Sequence, residues 1–458
     1  MWHSNLMFAA VLAALSVQAV AAPSAEEAAQ LGKTLTPFGA AKAGNKEGTI
    51  PEWTGGICTP PAGYKPARGA SGGAPYVDPF ASEKPLFSIT AENLAQHADK
   101  LDAGTKELFK RYPKTYRVDV YPTHRTACFP SWVYENTISR VMKPRLVGTA
   151  PGIADAHAQI PFPIPKSGYE AMWNAALKVE PVSTAFEIGS YLVDASGNAT
   201  LTALQTLHNQ NNYWDNSIAA VPEGKPYWAL IARTIAPASG AGVAQMRHMF
   251  LRTDLKDPMA WSYIPGQRRV RLAPEFTYDT VSTTSGGVLL FDEINGFEGK
   301  MDKFDFKLLG KKEMYVPYNA YNWYQQPAEK VYAPNHANPD LLRFELHRVW
   351  VVEATLKPGQ RHVEKKKVFY LDEDSWNILT YVGIDQADKP YHMVYQVAIQ
   401  TYDKPEIRNS GNLLYDFNKR AYSLANRIMD PGQAGIYRVK PYPANYFTPD
   451  AFAGAGIR

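Results

Sequence analysis

The sequence predicts an α+β, mainly β, protein built on one large antiparallel sheet, and three observations carry that prediction. The second half of the chain is a succession of strand-like runs separated by turn signals, among them "MRHMFLRTD", "FKLLGKKEMYVPYN" and "NILTYVGIDQADKPYHMVYQVAIQTYD". Meandering strands with short connections imply antiparallel pairing. Charged residues make up only 20% of the 458, while 35 Pro and 27 Tyr are present, a balance that suits a loop-rich β protein better than a helical bundle. Helical periodicity is confined to a few short segments.

Residues 1–22 read as a secretory signal peptide. Leu6 to Val20 form one apolar run, too short for a permanent span, and Ala19-Val20-Ala21 or Val20-Ala21-Ala22 fits a small-x-small cleavage site. The basic n-region is weak, with only the amino terminus and His3. The segment contains no Lys, Arg, Asp or Glu, so the exported chain keeps the net charge of +4. Near-neutrality and export both argue against nucleic-acid binding. No later stretch reaches the roughly 18 apolar residues a membrane span needs.

Residues 23–150 read as an irregular N-terminal arm with short helices packed on the body. "SAEEAAQL" opens a short helix with Ser24 and Glu27 at capping-box spacing. A Gly-, Pro- and Ala-rich stretch follows, and its spaced aromatics Phe38, Trp53, Tyr64, Tyr76 and Phe80 suggest a segment strapped across the body. Helical segments are expected around Ala91–Lys100 and Gly104–Tyr112, and "YRVDVYPTHRTACF" alternates like a strand. The two cysteines, Cys58 and Cys128, lie on loop-like sequence. An even count in an oxidising compartment favours a disulfide, closing a loop of about 70 residues and contributing roughly 4 kcal/mol. Two buried free thiols are the alternative.

Residues 151–458 read as the sheet domain, opened by a helix over Ser167–Lys178. Ser167 and Glu170 form a second capping box, and Tyr169, Met172, Trp173, Ala176 and Leu177 make the stripe of an amphipathic helix. Leu413 to Ile428 fits either a helix stripe or a strand, turn and strand, with the balance toward a hairpin. "WSYIPGQRRVRLAP" and "TLKPGQRHVEKKKVFYL" share the phrase Pro-Gly-Gln-Arg; Pro265-Gly266 and Pro358-Gly359 fit a type II turn, so bulged or longer connections are expected there. Arg269 and Arg271 alternate with Val270 and Leu272, which puts charge on one face and apolar residues inward, while Arg268 breaks the alternation.

Signatures of chemistry fail one by one. "GASGG" at Gly69–Gly73 matches G-x-S-x-G but lacks the strand before and helix after that a nucleophile elbow needs. "DEING" from Asp292 departs from a calcium loop at Ile294. "DEDSW" from Asp372 reads as a solvated turn. The histidines show no H-E-x-x-H motif and no i, i+4 pair, so no metal site, cofactor or enzymatic activity is expected.

Long phrases then carry a resemblance. "LGKTLTPFGAAKAGNKEGTIPEWTGG", "DPFASEKPLFSIT", "YPTHRTA", "IPFPIPKSGYEAMWN", "PGQRRVRLAP", "GKKEMYVPYN" and "LRFELHRVWVVEATLKPGQRHVEKKKVFYLDEDSW" resemble the exported proteins of Gram-negative bacteria known as domain of unknown function 1329, related to the LolA and LolB lipoprotein carriers. The resemblance covers nearly the whole exported chain. It implies a LolA-like incomplete barrel, with helices across the concave face of a strongly curved sheet, an apolar cavity, a periplasmic location and association with RND exporters of the MmpL type. Two departures stand out: the chain is about twice the length of a simple LolA-like protein, and its long arm could fill the cavity.

The expected function is therefore a non-enzymatic periplasmic carrier or accessory protein for a hydrophobic or lipid-like molecule, working with an RND inner-membrane exporter. Candidates for lining or gating the cavity are Met172, Trp173, Trp261, Tyr263, Trp350 and Val352, each of which could equally fill a closed core. Arg268, Arg269 and Arg271 are candidates for docking a head group or partner, or simply for solvating the outer face. The alternative function is a structural adaptor between an RND transporter and an outer-membrane partner, without a ligand of its own.

Overall fold

The computed structural model describes residues 22–65, 76–267, 269–273, 278–428 and 437–455. The signal-peptide segment, "GASGG" and Arg268 lie outside the described residues.

Twenty strands are found among the described residues, in chain order β1 (Phe87–Ile89), β2 (Val118–Val120), β3 (Arg145–Val147), β4 (Gly152–Ala154), β5 (Ser183–Val193), β6 (Ala199–Asn211), β7 (Trp228–Ala236), β8 (Ala244–Met249), β9 (Met259–Ile264), β10 (Arg269–Leu272), β11 (Val281–Ser282), β12 (Leu289–Leu290), β13 (Phe304–Pro317), β14 (Phe344–Leu356), β15 (Glu364–Asp372), β16 (Ile378–Asp385), β17 (Pro390–Gln400), β18 (Ile407–Asp416), β19 (Ala421–Ile428) and β20 (Tyr437–Arg438). Sixteen of them form one sheet, running β1-β2-β14-β15-β16-β17-β18-β19-β5-β6-β7-β8-β9-β10, with β13 beside β14 and β20 beside β5. All pairings are antiparallel except the single parallel contact of β2 with β14 at Val120 and Phe344. The sheet is not closed: its path ends at β1 on one side and β10 on the other. Leu413 to Ile428 is the hairpin β18–β19, paired from Asp416↔Ala421 to Asn412↔Ala425.

The helices are α1 (Ala25–Ala28), α2 (Ala103–Arg111), α3 (Ser131–Arg140), α4 (Gly168–Ala176), α5 (Tyr321–Gln325), α6 (Ala328–Val331) and α7 (Pro449–Ala455). The Ser24–Glu27 capping box closes in both directions. At α4, Ser167 accepts from the Glu170 N–H as expected, but the Glu170 carboxylate receives the Lys166 N–H instead of its reciprocal partner. The stripe expected on α4 understates its burial, because Gly168, Glu170, Ala171, Asn174 and Ala175 are covered as well. Ala91–Lys100 yields only two single 3-10 turns, while Gly104–Tyr112 is α2, capped by Asp102 accepting from Thr105 N at 2.8 Å. "YRVDVYPTHRTACF" keeps only three strand residues before Pro122. α3 has no side-chain cap in front of it, which is why local sequence does not announce it.

An antiparallel sheet usually leaves one face to water. Here β16, β17 and β18 are buried on both faces over nearly their whole length. One face packs on Phe38, Phe129, Val133, Ile160 and α4, the other on Ile89, Leu101, Leu108 and Phe109. Described segments from before residue 180 therefore cover strands that come after residue 300. Cys58 and Cys128 are bridged, with Cα atoms 5.6 Å apart, tying the strap to the segment leading into α3.

The two Pro-Gly-Gln-Arg turns differ. Gly359 has φ +80°, as a type II turn requires, but Pro265–Gln267 is a 3-10 turn in which Gly266 does not adopt positive φ. Leu272, expected inward, is 55% exposed. It sits on the last strand of the sheet, with a neighbour on one side only, and its partner across the pair is Trp261.

Candidate functional site

The β5–β8 part of the sheet is built differently from the doubly covered part. Alternation places Thr184, Phe186 and Ile188 of β5, Gln205, Leu207 and Asn209 of β6, Trp228, Leu230 and Ala232 of β7, and Gln245 and Arg247 of β8 on one face. Register sets Phe186 beside Leu207 and Leu207 beside Ala232, and these join Ile188, Leu230 and Trp228 in one apolar patch. Over that patch lies an open cavity of about 180 Å³. Its other walls are Lys178–Pro181, Ser282, Thr284, Leu289, the loop carrying Phe291, Ile294, Asn295 and Glu298, and the segment Glu406–Asn409. A second cavity of about 70 Å³, walled by Trp173, Tyr227, Met249, Phe297 and Met301, shares Lys178, Glu180, Trp228, Asn295 and Glu298 with the first. No residue of the arm lines either cavity among the described residues.

The roof of the larger cavity is "DEING". Its backbone turns sharply, with Asn295 at φ +54° and Gly296 at φ +85°; a Cβ at Gly296 would stand 2.8 Å from Ile378 Cγ2. Beneath the roof, on the inner face of the sheet, lies a buried ionic cluster. Asp292 accepts from His362 Nε2 at 3.0 Å and pairs with Lys367 Nζ at 3.1 Å. Glu293 faces His392 Nδ1 at 2.8 Å and caps Leu290 N. Lys367 also reaches Glu364 at 2.6 Å, Tyr381 donates to the same carboxylate, and Asp416 lies 3.4 Å from His392 Nε2. Gln396 donates to Asn295 O. The roof is thus pinned through its own acidic residues to β15 and β17, and His392 of β17 is in turn paired with Asp416 of β18.

The electrostatics follow from that packing. Burial pushes the Asp292 carboxyl up, but the Lys367 ammonium and His362 outweigh it and hold the group at about 2. Burial pushes Glu364 up, only partly opposed by Lys367. Burial would lower His392, yet Glu293 and Asp416 raise it to about 10. In the cavity wall, burial raises the Glu298 carboxyl while the facing Arg247 and Lys178 pull it back.

"DEDSW" is not the solvated turn expected from sequence: Asp372, Glu373 and Asp374 are all buried. Arg125 binds Asp374 at 2.6 Å, Arg348 binds Glu373 at 2.6 Å, and Lys311 reaches Glu373 at 2.8 Å. The same basic residues hold the strap, since Arg348 donates to Ala41 O and Ala43 O and Arg125 to Lys42 O, while Trp376 Nε1 donates to Phe38 O. The turn is buried because the arm lies on it, a contact between residues over 300 positions apart.

Two buried trios bring possible metal ligands within 4.8 Å of one another, Glu293–Glu364–His392 and His347–Asp372–Asp374. In both, a cation of the protein already stands among the carboxylates, Lys367 in the first and Arg125 in the second.

The residues singled out in the sequence are spread across the fold. Trp173 walls the smaller cavity and donates its indole N–H to Pro151 O at 2.9 Å. Met172 and Val352 lie in the main core. Trp350 is half-buried at its margin, stacked on Trp376 and under Lys311 Nζ at 4.6 Å. Trp261 and Tyr263 lie on the face away from the cavity, paired with Met246 and Ala244 and beside Phe452 of α7. Arg269 and Arg271 are exposed on β10. The cavity wall of β5–β8 was missed, although its alternating pattern, "TLTALQTLHNQN" above all, is visible in the sequence.

Residues 88–453 match the family model described as protein of unknown function, DUF1329. An uncharacterized protein of Pseudomonas aeruginosa, PA3922, is 37% identical over 454 residues, covering 98% of this chain and 97% of its own. Among solved structures, a domain from Vibrio parahaemolyticus assigned to outer membrane lipoprotein sorting superposes with a TM-score of 0.43 at 13% identity, covering 63% of this chain and 98% of that one. A DUF1329 family protein from Desulfovibrio piger gives 0.42 at 11%, covering 62% and 97%. The LolA superfamily protein NE2245 from Nitrosomonas europaea gives 0.36 at 10%, covering 63% and 100%. These three structural likenesses are distant ones.

Proposed function

The chain belongs to the DUF1329 family, and from that premise we propose that it is a non-enzymatic carrier which holds a hydrophobic or lipid-like molecule in the cavity over β5–β8. The observation that carries this reading is the contrast within one sheet. Where the arm and α4 lie, both faces are packed; over Phe186, Ile188, Leu207, Leu230 and Ala232 an apolar patch faces an open space of about 180 Å³. An apolar cavity near 150 Å³ suffices to bind benzene, so this one takes a ring or a short stretch of acyl chain, with the remainder of the ligand leaving by the mouth. Ligand exchange involves no bond-making.

A periplasmic location follows if residues 1–22 are cleaved as a signal peptide; the disulfide supports an oxidising compartment. Among the described residues no helix is long and apolar enough to cross a membrane. The test is mass spectrometry of organic extracts from the purified full-length protein. A stoichiometric lipid-like species is the expected result; an empty extract, together with no binding of any amphiphile, would sink the carrier reading.

A second reading is that of an adaptor for an RND exporter. The β9–β10 hairpin favours it, since β10 is the end of the sheet and exposes Arg269, Arg271 and Leu272, with Ile264 exposed across the pair. Cross-linking in cells through a photoreactive residue at position 271 would capture the exporter under this reading, and no transporter under the first alone.

A further inference from the structure

We infer that the β5–β8 cavity selects an uncharged amphiphile, one whose polar end consists of hydroxyl, ester or amide groups and not of a phosphate, carboxylate or ammonium. The inference rests on the carrier reading above and adds the class of ligand.

The first ground is the charge inventory of the walls. Among the described residues both cavities together present six ionisable side chains of fixed sign, three basic and three acidic, and each is matched to a neighbour. Lys178 Nζ lies 3.0 Å from Glu180, Arg247 lies 2.7 Å from Glu298, and Arg408 pairs with Glu406. The Arg247–Glu298 pair is nearly enclosed, at 7% and 11% side-chain exposure. A charged ligand head would have to displace one partner of such a pair and leave the other buried without a counter-ion, which is among the costlier events in a protein interior. Sites built for anions do the reverse, holding a cation or a helix N-terminus in reserve.

The second ground is what stands beside the apolar patch. Asn209 and Gln245 lie on the same face as Leu230 and Ala232, directly across the pair from them, and Asn211 and Gln205 flank them along β6. Amides donate and accept without carrying charge, and they match hydroxyl, ester and amide oxygens. The Asn209 Oδ1 atom is shielded from solvent and has no hydrogen-bond partner among the described residues. A shielded acceptor without a donor is unfavourable unless something supplies one; with the Asn209 amide turned toward the cavity it lines, a ligand hydroxyl or amide N–H would do so, whereas a carboxylate, having no proton, would not.

Three probes with the same dodecyl chain test this on the full-length protein at neutral pH, below their micelle concentrations, by competition with a fluorescent fatty-alcohol analogue: 1-monododecanoylglycerol, dodecanoate and dodecyltrimethylammonium. The expected result is that the glycerol ester binds at least tenfold more tightly than either ion. Equal or tighter binding of dodecanoate or of the ammonium overturns the inference while leaving the carrier reading standing. Failure of all three, and of the fluorescent analogue itself, overturns both. Two variants sharpen the outcome. Glu298→Gln releases Arg247, and is expected to raise dodecanoate affinity about tenfold relative to that of the glycerol ester. Asn209→Leu is expected to lower affinity for the glycerol ester several-fold relative to that for dodecanoate. Unchanged selectivity in both variants, with the folded state verified by circular dichroism, would refute the roles given to these residues.

Discussion

Replacing both Cys58 and Cys128 by Ala should destabilise the protein by about 4.4 kcal/mol without altering the native fold. The figure follows from the 70-residue separation, since cross-linking ends that far apart removes roughly 2.1 + 1.5R ln 70, or about 15 cal/mol/K, of unfolded-chain entropy. The native state has little reason to change. Cys128 remains held by its backbone, which accepts from Gln400 Nε2 at 3.1 Å and donates to Gln400 Oε1 at 3.3 Å, and Ile57 N still donates to Thr126 O beside it. Urea titration followed by tryptophan fluorescence and far-ultraviolet circular dichroism gives two signatures. The free energy should fall by about 4 kcal/mol, and the m-value should rise because the released chain exposes more surface when unfolded. A loss below about 1 kcal/mol with an unchanged m-value would refute the argument, and would mean that the strap is already organised in the unfolded ensemble or that its docking is independent of the bridge.

The remaining predictions concern the cavity and the cluster beneath its roof. Ala232→Phe should project a ring over Leu207 and abolish binding of amphiphilic probes, while the unfolding free energy stays within about 1 kcal/mol of wild type because the space is open; retained binding would displace the ligand from this site. Gly383→Ala would place a Cβ 1.5 Å from Glu364 Oε1 and 2.8 Å from the Tyr381 hydroxyl, so a loss of about 2–4 kcal/mol is expected by denaturant titration. Gly266→Ala, which meets open space, should stay within about 0.5 kcal/mol. His392 is raised from its ordinary 6.5 to about 10, so its stabilising contribution is complete below pH 6.5 and is lost as pH rises through about 10. Comparing urea midpoints of wild type and His392→Gln between pH 6 and 10 should show the wild-type slope flattened in the variant, and parallel curves would count against a charged His392.

Much of the fold was legible locally. Strand runs in "FELHRVWVVEATL" and its successors, the capping residues Ser24 and Ser167, and a hairpin at Leu413–Ile428 are all short-range properties, decided by alternation and by hydrogen bonds within four residues. The site was less legible. Aromatic residues drew attention to Trp261, Tyr263 and Trp350, but size and hydrophobicity describe a filled core as well as a ligand wall. The wall itself is made of medium-sized apolar residues interleaved with amides.

What the sequence by itself determined is the succession of strand-like runs in the second half, the alternation along most of them and the presence of just two cysteines, for which a disulfide is favoured. Which covering each face receives was decided only in the tertiary structure. Alternation says that Asp372 and Glu373 point opposite ways from their neighbours; it cannot say that Arg125, Arg348 and a strap from residues 38–43 will arrive to enclose them. The same holds for the cavity, because an apolar row on β5–β7 becomes core or binding surface according to whether another segment lies on it. The arm covers the β14–β18 half of the sheet and leaves the β5–β8 half open. That outcome depends on contacts between residues hundreds of positions apart, and no local pattern encodes them.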